Sequence, residues 1–271
     1  MKFTKMHGLG NDFILVEDPN ADIHGGSGLA KKLCDRRTGI GADGLILVRK
    51  SDRADVRMSI FNSDGSEAEM CGNGIRCFGR YAFDRGLVPK DGFSVDTLAG
   101  IMRIEIASAD PFLCTVNMGK PVFDRPDIPM TGSGVCKLEK LEALGREFTY
   151  STILLGVPHT VVFVDGVSFA DAEKYGPVIE RLPMFINRTN VNFAHVADDH
   201  TVEVITWERG CGVTLACGTG SSSVAVCCAD AGFTKRRCTI KLPIGDLQID
   251  WAPDGHVYMT GPAEYTFCGE V

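Results

Sequence analysis

Cys71-Gly72-Asn73-Gly74 and Cys217-Gly218-Thr219-Gly220 are the segments of this chain whose residue types and spacing could do chemistry. Each cysteine stands just ahead of a predicted helix, where unpaired backbone N–H groups and the positive end of the helix dipole favour a thiolate. The flanking glycines let a ligand approach the backbone closely, and a carboxylate placed there would meet several N–H donors at once. One such loop, taken alone, is also an ordinary structural helix start. Two of them set on opposite sides of a ligand form the minimum equipment for inverting a stereocentre, because a proton must leave one face and another must arrive at the opposite face. The same N–H donors would stabilise the negative charge that builds on a carboxylate as its α-proton leaves. A repeat kept only for its backbone would retain the glycines but gives no reason to retain both thiols. This chemistry asks for no metal and no pyridoxal cofactor.

The elements that must hold these loops repeat as well. Cys217 lies 146 residues after Cys71 (71 to 217), and Asp84 and Gly86 fall on Asp230 and Gly232 at the same spacing. Upstream, the alternating, strand-like segment 56–62 (VRMSIFN) aligns with 202–208 (VEVITWE). Residues 12–18 pair with 159–165, and 93–104 with 238–249, with Gly100 over Gly245. Helices are predicted over 75–85 and 221–231, apolar or small nearly all round and therefore buried. These patterns imply an α+β fold of two pseudo-symmetric domains from an internal duplication. Each is a mostly antiparallel sheet wrapped around a central helix, with the active site expected in the inter-domain cleft. The halves are expected at 1–120 and 121–271, joined in the Gly- and Pro-rich stretch 120–146, with C-terminal strands able to exchange into the first half.

Composition narrows the classes. The 271 residues carry a net charge of −7, which argues against a nucleic-acid partner, and Lys235-Arg236-Arg237 reads as a solvated basic run. No apolar run reaches the ~18–20 residues that a membrane helix needs, and the opening MKFTKMHGLGNDF lacks a signal-peptide core. A cytoplasmic protein is expected. Eleven cysteines, none in a Cys-x-x-Cys pair, fit neither a disulfide framework nor a zinc site. Cys34, Cys77, Cys211, Cys227 and Cys228 are read as structural thiols. Gly39-Ile40-Gly41-Ala42-Asp43-Gly44 matches G-x-G-x-x-G but precedes the strand-like Leu45-Ile46-Leu47-Val48 in place of a helix, so the dinucleotide-binding context fails. His159 and the pair Glu208-Arg209 have bland readings as a core histidine and a surface ion pair. Glu208, however, occupies the position that matches Asn62 in the segment leading to each cysteine.

His7-Gly8-Leu9-Gly10-Asn11-Asp12-Phe13, Asn62-Ser63-Asp64-Gly65-Ser66 and Glu69-Met70-Cys71-Gly72-Asn73-Gly74-Ile75-Arg76 occur in the first half. Pro158-His159, Asn190-Val191-Asn192-Phe193, Trp207-Glu208-Arg209-Gly210 and Ala216-Cys217-Gly218-Thr219-Gly220 occur in the second. In this order and spacing the chain resembles the diaminopimelate epimerases from end to end. The resemblance implies Cys71 and Cys217 as the catalytic pair, with Gly72, Asn73, Gly218 and Thr219 on the carboxylate at the reacting centre. It implies Asn11, Asn62, Asn190, Glu208 and Arg209 around the rest of the substrate, and His159 with Glu208 influencing the cysteine pKa values. It implies interconversion of LL- and meso-2,6-diaminopimelate without cofactor, on the route to lysine and peptidoglycan. A homodimer is implied too, with Phe267 as an interface aromatic. Two positions depart from the family's common pattern: Val157 stands where many members have Asn, and Gly44 where many have Gln. Three other readings stay open: a two-cysteine racemase of another amino acid, akin to the proline racemases; a thiol–disulfide redox protein; and an amino-acid-binding module without turnover.

Overall fold

The computed structural model describes residues 1–271 and divides into two units, Met1–Asn117 with Thr260–Val271, and Met118–Met259. Unit 1 contains β1 (Lys2–Gly8), β2 (Asn11–Glu17), α1 (Gly26–Cys34), β3 (Gly44–Arg49), β4 (Val56–Asn62), β5 (Glu67–Ala68), α2 (Gly72–Asp84), β6 (Gly92–Thr97), β7 (Gly100–Ala109) and β8 (Phe112–Asn117). Unit 2 contains β9 (Cys136–Ala143), β10 (Arg146–Leu155), β11 (Val157–Phe163), α3 (Phe169–Ile179), β12 (Asn190–Asp198), β13 (Thr201–Glu208), β14 (Gly212–Thr214), α4 (Gly218–Asp230), β15 (Arg237–Leu242) and β16 (Gly245–Trp251). Then β17 (Val257–Gly261) runs through the division, and β18 (Glu264–Glu270) belongs to unit 1.

The sequence repeat is a repeat of topology. In unit 1, β1–β2, β3–β4 and β6–β7 pair antiparallel, while β2–β3 and β4–β6 pair parallel. Unit 2 follows the same order: β10–β11, β12–β13 and β15–β16 are antiparallel, and β11–β12 and β13–β15 are parallel. Parallel neighbours need a crossover connection. α1 and α3 lie in the first crossover of each unit, α2 and α4 in the second. Each sheet is therefore mixed though mainly antiparallel, and β18 pairs with β1 as β9 pairs with β10.

The strand pattern explains why the crossover helices are buried. β3 is apolar on both faces. Leu45 and Leu47 join Ala30 and Leu33 of α1 in one core cluster, while Ile46 reaches α2, where Gly74 leaves room for it. In unit 2, Ala172, Tyr175 and Ile179 of α3 pack with Phe148, Tyr150, Val162, Val191 and Phe193. The β6–β7 and β15–β16 hairpins close on Gly100 (φ 111°) and Gly245 (φ 148°), a backbone region that residues with a Cβ avoid.

One expectation needs correction. α2 and α4 begin at Gly72 and Gly218, three residues earlier than the predicted 75 and 221, because the glycines read as loop form the first helical turn. The stretch 120–146, expected to hold the join between the halves, is itself structured. Its later part is β9, whose Cys136, Leu141 and Ala143 lie in the unit 2 core, and Val122 bridges to Leu154.

Candidate active site

Both cysteines are N-caps. Cys71 (φ −140°, ψ 121°) and Cys217 (φ −129°, ψ 111°) hold extended backbone directly ahead of α2 and α4. Each follows the short strand, β5 or β14, that folds back on β4 or β13. Each unit thus carries a thiol at the positive end of the helix that crosses over its own sheet.

In unit 1 the Gly74 N–H donates to Cys71 Sγ at 3.4 Å, and the thiol is 3.8 Å from Asn11 Oδ1. Asn11 Oδ1 also accepts from Asn73 Nδ2 at 3.1 Å, and Asn11 Nδ2 donates to Asp43 at 2.7 Å. Asp43 is held by Arg36 at 2.8 Å, and Arg36 bonds Asp12 through both of its terminal nitrogens, at 2.7 and 3.2 Å. Lys5 completes the cluster 2.9 Å from Asp12. Asn62 ends β4 and donates to Ser66 Oγ at 2.9 Å. The structure therefore brings Asn11, Gly72 and Asn73 to the Cys71 thiol. The Arg36–Asp12–Asp43 support escaped sequence reasoning, since its members are separated along the chain and no local pattern links them.

In unit 2, burial pushes the Cys217 thiol well above the ordinary thiol range, and the negative charge of Glu208 pushes it the same way. Thr219 and the Gly220 N–H act in the opposite direction. Cys217 Sγ lies 3.5 Å from Thr219 Oγ1, and Glu208 accepts from Thr214 at 2.6 Å. Arg209 continues from Glu208. Its backbone N–H donates to Asn190 Oδ1 at 2.8 Å, and its guanidinium donates to the Asn187 carbonyl at 2.6 Å. Asn190 in turn donates to the Pro158 carbonyl at 3.2 Å. His159 is fully buried; burial, followed by the charge of Arg209, drives its pKa down to about 3, so it is neutral near pH 7. Asn192 braces it, with Nδ2 3.3 Å from His159 Nδ1 and 3.2 Å from the Thr160 carbonyl, and with Oδ1 accepting from Thr206 at 3.0 Å. Asn192 is the residue here that the sequence named only as part of a motif, with no role.

At Gly44 a Cβ would stand 2.9 Å from the Phe61 carbonyl oxygen and 3.2 Å from the Phe13 ring, so this backbone leaves no space for a longer side chain. Val157 opens β11 opposite Leu155. All eleven cysteines are free thiols, and no group of three or more His, Cys, Asp or Glu gathers in a way that could hold a metal ion. No helix is long and apolar enough to cross a membrane.

Two units of one topology, each a mixed sheet with a cysteine-capped crossover helix, define the class as a duplicated two-domain α+β fold. A Bacillus anthracis phenazine biosynthesis protein of the PhzF family has it, with a TM-score of 0.73 at 17% identity, over 100% of this chain and 98% of that one. So does a probable proline racemase from Agrobacterium radiobacter, with a TM-score of 0.69 at 15% identity over 100% and 92%. These likenesses are of fold alone. The family model for diaminopimelate epimerase matches residues 3–123 and 151–266. The chain is 48% identical over 275 residues to the diaminopimelate epimerase of Moorella thermoacetica, covering 100% of this chain and 99% of that protein. It is 49% identical over 274 residues to that of Desulforudis audaxviator, with the same coverage. The chain belongs to the diaminopimelate epimerase family.

Proposed function

We propose that the chain epimerises LL-2,6-diaminopimelate to the meso form, without cofactor, with Cys71 and Cys217 as the acid–base pair. The observation that carries this reading is a thiol at the same N-cap position of both crossover helices, in a member of this family. One sulfur, as thiolate, takes the α-proton. The other, as thiol, gives its proton to the opposite face, and the two exchange roles in the reverse direction. Negative charge that builds on the substrate carboxylate meets the N–H groups of the first helical turns, at Gly72 and Asn73 and at Gly218 and Thr219.

Diaminopimelate has an ammonium and a carboxylate at each end, so an enzyme acting on one centre must recognise the other. Arg209 supplies a planar fork for the distal carboxylate and Glu208 an anion for the distal ammonium, with Asn11, Asn62 and Asn190 as neutral partners. His159 and Glu208 set the surroundings of Cys217: the histidine as a neutral, braced ring, the carboxylate as a charge that holds the thiol protonated. The chain works in the cytoplasm, where reducing conditions keep eleven thiols free. It assembles as a homodimer that covers the exposed Phe267 of β18.

Incubation of meso-diaminopimelate with the enzyme in deuterated water tests the chemistry. Deuterium should appear at the reacting α-carbon, and neither Cys71→Ala nor Cys217→Ala should epimerise, since neither thiol serves both faces. Full turnover by either variant rejects the two-thiol reading. Binding without exchange would make the chain an amino-acid-binding module, and faster exchange with proline would make it a racemase of another amino acid.

A further inference from the structure

Arg76 is fully buried in α2, one helical turn after the residue that follows Cys71. Its Nη1 donates to the Gly72 carbonyl at 3.1 Å and its Nε to the Pro262 carbonyl at 3.0 Å. β1 closes over it at Gly8, where a Cβ would lie 3.1 Å from Nη2 and 3.0 Å from the Asn73 carbonyl oxygen. A guanidinium is thus sealed under the first turn of the helix that Cys71 caps.

A cation taken out of water calls for negative charge facing it. Burial works against the charge of Arg76, and negative charge on Cys114, Cys77 and Cys71 works for it. Burial pushes the Cys114 thiol up to about 12 and Cys77 higher still, so both stay protonated near neutral pH. Cys71 is different: it is only half-buried and sits at the N-cap, where it accepts the Gly74 N–H. Of the other charged groups on strands packed against α2, Lys2 is exposed and the rest face elsewhere. Lys5 and Arg36 hold Asp12, and His7 faces Glu264. Glu17 accepts from Tyr81 and faces Arg85, Arg49 holds Asp18, and Arg57 faces Asp96.

The repeat is broken at this position. The residue 146 further on (76 to 222) is Ser222, fully buried in α4, and the charge acting on Cys217 is the carboxylate of Glu208. The two half-sites thus share geometry and differ in charge.

We propose that Arg76 is a positioning residue that makes Cys71 the thiolate, and Cys217 the thiol, of the resting enzyme. This rests on the reading of the two cysteines as the acid–base pair. In a turnover starting from that state, the α-proton moves to Cys71 sulfur and the Cys217 proton moves to the opposite face of the carbon. Product leaves behind a Cys71 thiol and a Cys217 thiolate. Loss of the Cys71 proton to solvent and uptake of one by Cys217 restore the resting form.

Alkylation of the free enzyme by iodoacetamide across pH, with each thiol followed by peptide mass spectrometry, tests the proposal. In the wild type the Cys71 midpoint should lie below that of Cys217. Arg76→Gln keeps hydrogen-bonding capacity but loses the charge. It should raise the Cys71 midpoint by roughly 1–3 pH units, cut Cys71 alkylation at pH 7 at least tenfold, and leave the Cys217 midpoint in place. Arg76→Lys should recover most of that rate. An unmoved Cys71 midpoint in Arg76→Gln, or a shift in Arg76→Lys as large as in Arg76→Gln, overturns the proposal. Should neither variant fold, the wild-type order decides it: ionisation of Cys217 before Cys71 rejects it, and the reverse order supports it. Epimerisation by Cys71→Ala would reject the two-thiol reading separately, whatever the alkylation shows.

Discussion

Gly74 and Gly220 hold the same place in the two Cys-Gly-x-Gly motifs, yet alanine should behave differently at each. At Gly220 an added Cβ would lie 2.5 Å from Asn192 Oδ1 and 3.2 Å from Cys217 Sγ. Asn192 cannot retreat freely, because it accepts from Thr206 and contacts His159 and the Thr160 carbonyl, all buried. Breaking one of these bonds and stranding its partner costs about 1–3 kcal/mol, and disturbing a second adds a similar amount. Replacing a helical glycine by alanine returns only about 1 kcal/mol. A net destabilisation of about 1–5 kcal/mol follows for Gly220→Ala. At Gly74 the Cβ would meet Ile60 Cδ1 at 3.0 Å and Cys71 Cβ and Ile46 Cδ1 at 3.4 Å. The tightest of these is the end of a flexible side chain, and moving it off its rotamer costs about 0.5–1.5 kcal/mol, so Gly74→Ala should come out near zero. Urea unfolding of both variants, followed by circular dichroism, gives the two differences. Turnover should track them, because displacing Cys217 Sγ or His159 spoils a geometry on which proton transfer depends: at least a tenfold loss for Gly220→Ala, and a few-fold at most for Gly74→Ala. Equal effects in the two variants would refute the packing argument.

Burial alone would raise the Asp12 carboxyl, but hydrogen bonds and charge from Arg36 and Lys5 outweigh it and bring its pKa down to about 2. Because the folded pKa is depressed, its contribution of about 2 kcal/mol is present above about pH 4 and is lost as pH falls towards 2. The stability gap between wild type and Asp12→Asn should therefore narrow over that window, and a gap independent of pH would count against the assignment. Arg209→Ala should lose about 2–5 kcal/mol in kcat/KM for diaminopimelate, as expected for a desolvated carboxylate left without its partner. Val157→Asn should change the same quantity by about 1 kcal/mol or less, the scale of one neutral hydrogen bond. Steady-state kinetics with meso-diaminopimelate, lysine, proline and glutamate check both, and lysine or proline matching diaminopimelate would remove the role assigned to Arg209.

What could be read from the sequence was whatever short-range pattern carries. Period-two alternation over 56–62 and 202–208 marked β4 and β13, and the matched Cys-Gly-x-Gly loops marked the starts of α2 and α4. The 146-residue spacing announced that the fold is made twice, because a duplicated chain keeps its local signals in register. Strand-forming Leu45 to Val48 was also enough to set aside the dinucleotide-binding motif before it. The helix starts were misplaced by three residues because glycine carries a weak helical preference, and only the capping geometry shows that Gly72 and Gly218 are helical. Burial and long-range pairing lay outside the sequence altogether. Arg76 reads as one more charged residue on a helix until β1 and Pro262 enclose it. Asn192 reads as a strand residue until His159, Thr160 and Thr206 converge on it from neighbouring strands. The repeat placed one thiol ahead of α2 and another ahead of α4. Tertiary structure made them unequal, by enclosing a guanidinium under one helix start and setting a carboxylate against the other, since the field at a buried sulfur depends on groups that the chain brings together only on folding.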